Sequence, residues 1–298
     1  MQEIKITQDI AGQRADKFLA RYLGAAPKAF IHKMLRKKNI LINDKKAEGA
    51  QILAVGDMMT LYLSDETIEK FTKAKVAYEG PLDIIYEDEN IAIVNKPANL
   101  LTQPDSANRD SLIGRLRYLC ADAAFDPITV NRLDRNTTGI VLCAKNLPAA
   151  QILSRLIHNR CIEKNYLAVA HGEISREMLL EGLHIKDEAK NLVEIVPRGT
   201  LGSKVVTKVT PIKYNDVLDV TVLKIGLETG RSHQIRAHLA SIGHPLVGDK
   251  KYGGKSAARQ MLHAHEIAFC EVDGLLGYLI GKQFEAQLPN DMKKYISW

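Results

Sequence analysis

The sequence predicts an α+β protein, a mostly antiparallel mixed-sheet domain with flanking helices, preceded by a small basic α/β module. Three observations carry this expectation. Apolar residues alternate with period two in neighbouring segments joined by turn residues, which marks hairpins rather than strand–helix–strand units. Helical stripes occur singly between these segments instead of following every strand. Charge is unevenly placed: residues 1–75 hold 14 Lys/Arg and 9 Asp/Glu, whereas the remainder holds 27 and 26.

With 298 residues, 46% of them hydrophobic, the chain has room for two domains at about 150 residues each. Residues 1–65 form the first. A short strand over residues 4–6 leads through Asp9 and Gly12 into a helix with Phe18, Leu19, Tyr22 and Leu23 on one face. Pro27 opens a second helix whose stripe is Phe30, Ile31, Met34 and Leu35, and Lys33, Arg36, Lys37 and Lys38 crowd its end. Ile40 and Ile42 alternate as a strand, Asn43-Asp44 offers a turn, and Met59, Leu61 and Leu63 alternate as another. Residues 14–46 carry ten basic side chains against two acidic ones, which suggests a polyanion partner; a merely solvated basic face is the alternative.

Residues 66–79 are mixed in charge and read as a linker. The second domain, residues 80–298, opens with a hairpin of Ile84–Tyr86 and Ile91–Val94, closed by Pro97, which cannot donate to a strand ladder. Residues 148–162 read as a helix, Lys164–Ala170 as a strand containing Tyr166, and Val205–Leu227 as a hairpin around Asn215-Asp216. A helix beginning near Ser232 carries Ile235, His238, Leu239 and Ile242, and Gly243 can end it.

Residues 131–145, NRLDRNTTGIVLCAK, join a polar half to a buried strand at Ile140–Ala144, with Gly139 marking a turn or a close backbone approach. Asp134 lies between Arg132 and Arg135. An ordinary surface turn and a reactive carboxylate are both consistent with this pattern alone. A carboxylate can act as general base or nucleophile where a nearby cation holds it ionised, and Arg231 or Arg236 could supply that cation.

Other chemistries fail on spacing. There is no G-x-G-x-x-G after a strand and no G-x-S-x-G elbow. Gly253-Gly254-Lys255-Ser256 resembles the end of a phosphate loop, but Asp249 stands where that motif needs glycine. His263 and His265 share one side of a strand without an evident third metal ligand, so paired structural histidines are expected. Ser232-His233 are only sequence neighbours, which gives no sign of a nucleophilic triad. The four cysteines are dispersed, which favours reduced thiols in a cytoplasmic protein. No run approaches the ~20 apolar residues of a membrane span, and the N-terminus lacks the apolar block of a signal peptide.

Two resemblances add to this reading. Arg14–Leu19, the segment KMLRKKNILIND and the Val55-Gly56-Asp57 turn resemble the S4 RNA-binding domain, which implies structured RNA as the polyanion. NRLDRNTTG resembles the signature H-R-L-D-x-x-T-[ST]-G of the RluA family of pseudouridine synthases. Asn95-Lys96-Pro97 with Leu101–Pro104, Glu163–Ala168, and Thr229–Arg236 with Gly243-His244-Pro245 and Gly248-Asp249 match the family's other blocks in order. The layout is most similar to the large-subunit rRNA synthases of the C and D type.

The resemblance implies isomerisation of uridine to pseudouridine in RNA without metal, nucleotide or other cofactor. It makes Asp134 the indispensable carboxylate, Tyr166 the residue packed on the target base, and Arg236 the partner of Asp134. Arg132 is the side chain that would fill the stack as the base swings out, which a flat guanidinium can do. Arg231, Lys33, Arg36, Lys37 and Lys38 are the further RNA-binding candidates. The chain departs from the family at Asn131, where histidine is usual; asparagine can hydrogen-bond but cannot carry a proton. A monomer acting on RNA, most naturally large-subunit rRNA, away from any membrane, is expected. A tRNA-directed synthase and a non-catalytic ribosome-assembly factor are the alternatives.

Overall fold

The computed structural model describes residues 1–8, 10–72, 78–105, 108, 110–120, 125–196, 202–255 and 257–296. The basic module consists of β1 (Gln2–Lys5), α1 (Ala15–Tyr22), α2 (Lys28–Arg36), β2 (Ile40–Ile42), β3 (Lys45–Lys46) and β4 (Met58–Leu61). Its strands form an antiparallel sheet in the order β1-β4-β2-β3. Both helical stripes turn inward: Phe18, Leu19, Ile31 and Leu35 are buried with Ile40, Ile42, Met59 and Leu61. Asn43 and Asp44 have φ of 51° and 60°, the paired left-handed conformation that lets a two-residue turn follow the twist of its strands. Buried hydrophobic packing continues from this core to Phe125, Ile91 and Ile140 of the second domain, and Arg21 lies 5.1 Å from the Phe125 ring centroid.

The expected linker begins as a helix, α3 (Asp65–Thr72). The Ser64 hydroxyl accepts from the Thr67 amide, Asp65 and Glu66 occupy the first turn, and Phe71 packs on Phe30 with ring centroids 4.7 Å apart. A search for strand alternation misses such a capped, acidic start. Residues 73–77 lie outside the described residues.

The second domain runs β5 (Asp83–Glu87), β6 (Ile91–Lys96), α4 (Leu112–Leu119), β7 (Ile128–Thr129), β8 (Thr138–Ala144), α5 (Leu147–His158) and β9 (Ile162–His171). It continues with β10 (Met178–Asp187), β11 (Leu192–Val196), β12 (Ser203–Asn215), β13 (Val220–Leu227), α6 (Gln234–Ser241), β14 (Leu262–Phe269), β15 (Gln283–Glu285) and α7 (Asn290–Ile296). These strands make one sheet in the order β11-β10-β12-β13-β9-β14-β8-β6-β5, with β7 on β8 and β15 on β14. All its pairings are antiparallel except β8 with β14. The α+β architecture with a mostly antiparallel sheet is the expected one.

The hairpins at 84–94 and 205–227 form as expected, the second with a longer connection, residues 216–219. The helix expected over 148–162 starts at Leu147, capped by Asn146 accepting from the Ala149 amide, and ends at His158 before a left-handed Arg160 (φ 62°) releases the chain into β9. α4, α7 and the β10–β11 hairpin go beyond the elements expected from sequence. No helix among the described residues is long and apolar enough to cross a membrane.

The parallel β8–β14 pair is the seam between the two halves of the sheet, and Gly139 is the reason it can close. At φ +105°, a Cβ on Gly139 would stand 2.1 Å from the Ala264 carbonyl oxygen, so only glycine fits. The loop of residues 130–137 feeds directly into this seam, and Ile235 and Leu239 of α6 pack with Leu262 and Ala264 of β14.

Candidate active site

Asp134 sits in the loop ahead of β8, and the side chains of Thr102, Lys96 and Arg259 hold that loop by its backbone. Thr102 Oγ1 donates to the Leu133 carbonyl (2.8 Å) and accepts from the Leu133 amide (3.1 Å). Lys96 Nζ donates to the carbonyls of Arg135 (3.0 Å), Leu100 (2.8 Å) and Pro97 (2.9 Å), so all three of its protons are used. Arg259 donates to the Asn136 carbonyl (3.2 Å) and is itself gripped by both oxygens of Asp291 on α7 (2.7 Å each). Lys96 is wholly buried, and burial pulls its pKa down to about 7, with Asp134 opposing and Arg259 assisting that shift.

Asn131 closes the other end of the loop. Its amide oxygen accepts from the Leu142 amide (2.7 Å) and its nitrogen donates to the Ile140 carbonyl (3.2 Å). The side chain thus stands in for a strand partner along the edge of β8, a shaping role that needs a donor and an acceptor but no titratable proton. Asn131→Ala strands both groups and is expected to cost about 1–3 kcal/mol and lower turnover. Asn131→His is expected to stay near wild type, because a neutral imidazole also offers one donor and one acceptor. Thermal unfolding and turnover of both variants check this; a fully stable Asn131→Ala would contradict it.

The Asp134 carboxylate faces α6. Its Oδ2 accepts from Arg236 Nη1 at 2.8 Å, and its Oδ1 lies 3.9 Å from His233 Nε2. Arg236 is shared: Nε and Nη2 donate to the two oxygens of buried Asp249 at 2.7 and 2.9 Å. Burial works against the guanidinium charge, but Asp249 and Asp134 outweigh it and its pKa is raised. The Tyr252 ring covers the guanidinium from 5.1 Å. Asp249 therefore fixes Arg236, and Arg236 fixes and counters the charge of Asp134. The helix start that delivers this arginine is unusual, since His233 takes a left-handed backbone (φ 53°) as its cap. Burial lowers the His233 pKa, Arg236 and Lys251 reinforce the shift, and Asp134 opposes it. Gln234 ties the preceding loop down: its oxygen accepts from Thr229 Oγ1 and the Arg231 amide, and its nitrogen donates to Val206 O and Thr207 Oγ1.

Tyr166 of β9 is buried against the same cleft. Burial, and secondarily the charge of Asp134, raises its pKa, so it presents a neutral phenol ring. Arg132, Leu133, Asp134, Tyr166, Arg231 and Arg236 line one cleft together. The structure thus gathers five of the expected site residues; the other four, Lys33, Arg36, Lys37 and Lys38, lie exposed at the end of α2 and just beyond it. Asp249's grip on Arg236 and the roles of Lys96, Gln234 and His233 emerge only from the structure. Glycine at 254 answers to packing, because a Cβ there would stand 1.9 Å from Leu246 O; Ser256 lies outside the described residues.

His263 and His265 behave as structural histidines. Both rings approach the Ala286 carbonyl, at 3.2 and 3.1 Å, and His263 Nδ1 pairs with Thr138 Oγ1 at 2.8 Å. Among the described residues no group of three or more His, Cys, Asp or Glu is placed to hold a metal ion. Burial pushes both His263 and His238 down to about 4. A histidine with a depressed folded-state pKa protonates first in the unfolded chain, so stability is lost as pH falls from about 6.5 towards 4. By pH 5 each histidine should cost about 2 kcal/mol. Urea unfolding at pH 7 and pH 5 checks this, and equal stability at both would contradict it.

The sequence matches a known group of proteins, and the fold is shared with a solved member. The sequence profile of the RNA pseudouridylate synthase family matches residues 90–241. The chain is 31% identical over 287 residues to a ribosomal large subunit pseudouridine synthase C of Vibrio vulnificus (strain CMCP6), covering 90% of this chain and 88% of that one. It is 31% identical over 314 residues to a ribosomal large subunit pseudouridine synthase D of Neisseria meningitidis serogroup B, covering 99% and 80%. Among solved structures, human RNA pseudouridylate synthase domain containing 4 shares the fold with a TM-score of 0.57 at 20% identity, covering 72% of this chain and 92% of that one.

Proposed function

The chain belongs to the RNA pseudouridylate synthase family, in its RluA branch, and from that premise we propose that it isomerises chosen uridines of large-subunit ribosomal RNA. The observation that carries the site assignment is the single cleft in which Asp134, held by Arg236 and Asp249, faces the same space as Tyr166 and Arg132. In this reading the target nucleotide is drawn out of its stack, because a stacked base is beyond the reach of a carboxylate at the bottom of a cleft. Arg132, exposed and without a protein partner among the described residues, fills the gap in the RNA. The uracil packs on the Tyr166 ring. Asp134 promotes cleavage of the bond between uracil nitrogen and ribose carbon; the ring turns, a bond forms from ribose to carbon five, and the carbon-five proton leaves. A buried, neutral tyrosine suits this role because it offers a flat apolar face without adding charge beside Asp134.

The module of residues 1–65 is the proposed S4-type RNA-binding domain. Lys33, Arg36, Lys37 and Lys38 are exposed on it, opposite buried Ile31, Met34 and Leu35, and none has a carboxylate partner among the described residues. Changing all four to Gln should weaken RNA binding and flatten its salt dependence, by about 0.7–0.9 in log–log slope for each phosphate no longer neutralised. Filter binding across a salt series checks this; an unchanged slope removes the role.

The substrate is tested by incubating the protein with protein-free large-subunit rRNA and with a tRNA pool, both unmodified, and mapping pseudouridine by reverse-transcription stops. New stops confined to rRNA are expected. Stops confined to tRNA would redirect the substrate, and none in either would leave only RNA binding.

A further inference from the structure

Lys164 is a half-buried cation beside the cleft with no hydrogen-bond or ion-pair partner among the described residues. It lies two residues before Tyr166 on β9, hence on the same face and roughly 7 Å further along the strand. Its ammonium reaches Gly230: a Cβ built there would be 3.7 Å from Nζ. Gly230 belongs to the loop that Gln234 pins, between Thr229 and cleft-lining Arg231. Burial lowers the pKa of Lys164 and no carboxylate opposes the shift.

Several cations elsewhere in this domain have a carboxylate, and wholly buried Lys96 has three carbonyls. Arg115 is held by Asp110, Arg259 by Asp291, and even exposed Arg160 pairs with Glu228 near this loop. An ammonium drawn from water with neither an acid nor carbonyls to receive its protons is costly, and a counter-ion arriving from outside offsets that cost. The covering glycine leaves it open to an approaching backbone, and Arg231 and Arg132 are likewise without carboxylate partners among the described residues.

We infer that Lys164 and Arg231, astride Gly230, form a phosphodiester subsite that grips the RNA backbone next to the uridine seated on Tyr166. This rests on the synthase reading above. The subsite is independent of base sequence: a point charge on a flexible stem reads phosphate, and its place one strand repeat from Tyr166 sets how far the chain is drawn in before the base can turn.

The competing reading is that the lysine stem merely covers apolar surface with its head in water. Lys164→Met separates the two, since it keeps an unbranched stem of similar length and removes the charge. With in vitro transcribed large-subunit rRNA, Lys164→Met should raise KM about threefold or more and lower the log–log salt slope by about 0.7–1, with the loss carried by KM rather than kcat. Lys164→Arg should recover most of it. Wild-type KM and slope in Lys164→Met would overturn the subsite. Should Lys164→Met fail to fold, acetylation of Lys164 in the wild-type protein decides: protection by bound RNA supports the subsite and undiminished labelling overturns it. A wild-type protein without pseudouridine formation would instead count against the synthase reading itself.

Discussion

Asp134→Asn is expected to slow pseudouridine formation at least about 10⁴-fold, the scale on which loss of an indispensable reacting group is felt, while leaving the fold in place. The two parts of this expectation have separate grounds. Asparagine occupies the same volume, the loop is held through the backbone at Leu133, Arg135 and Asn136, and Arg236 keeps both bonds to Asp249. What disappears is the carboxylate alone. Single-turnover kinetics beside thermal unfolding measure both parts. A variant that retains turnover contradicts the assignment of Asp134, and one that unfolds contradicts the claim that the loop is held independently of it.

Arg236→Met should have the largest effect on stability. It leaves Asp249, whose side chain is 1% exposed, as a buried carboxylate without a counter-charge, a change worth about 3–5 kcal/mol. At roughly 2–4 °C per kcal/mol for a domain of this size, the Tm should fall by about 10 °C. Activity should fall as well, because Asp134 loses its 2.8 Å partner. Replacing both members, Arg236→Met with Asp249→Leu, should recover much of the stability, since an apolar pair can substitute for a buried ion pair, without recovering activity. Calorimetry and turnover across this double-mutant cycle test the division of labour. Arg236→Met at wild-type stability would show that Asp249 does not depend on it.

The proposed site residues are legible in the sequence because each lies in a short local pattern: Asp134 in NRLDRNTTG, Tyr166 in EKNYLA, Arg236 in TGRSHQIR. Gly139 is legible for a physical reason, as glycine between a polar loop and a buried strand implies a close approach, and the approach is to Ala264 of the parallel strand. The residues that hold the loop are not. Lys96, Thr102 and Arg259 act on main-chain carbonyls, and a carbonyl leaves no mark in the sequence of the segment that offers it. Asn131 can be recognised from sequence only as a departure from the family; its meaning needs the position of β8, whose Ile140 and Leu142 it bridges. α3 escapes because its helical character comes from a Ser64 cap and an acidic first turn rather than from a long apolar stripe. Asp249 is visible within a motif, but its grip on Arg236 depends on the chain returning beneath α6.

The proton that this isomerisation must release offers the most direct test. Large-subunit rRNA transcribed with uridine tritiated at carbon five would be incubated with the wild-type protein and with Asp134→Asn, and tritium in water counted over time. The expected result is release by the wild type that plateaus at a small whole number of uridines per RNA, and none above background for Asp134→Asn. Release that continues at the wild-type rate in Asp134→Asn, or a folded, RNA-binding wild type that releases nothing from large-subunit rRNA, would contradict the role given to Asp134 and the substrate given to the protein.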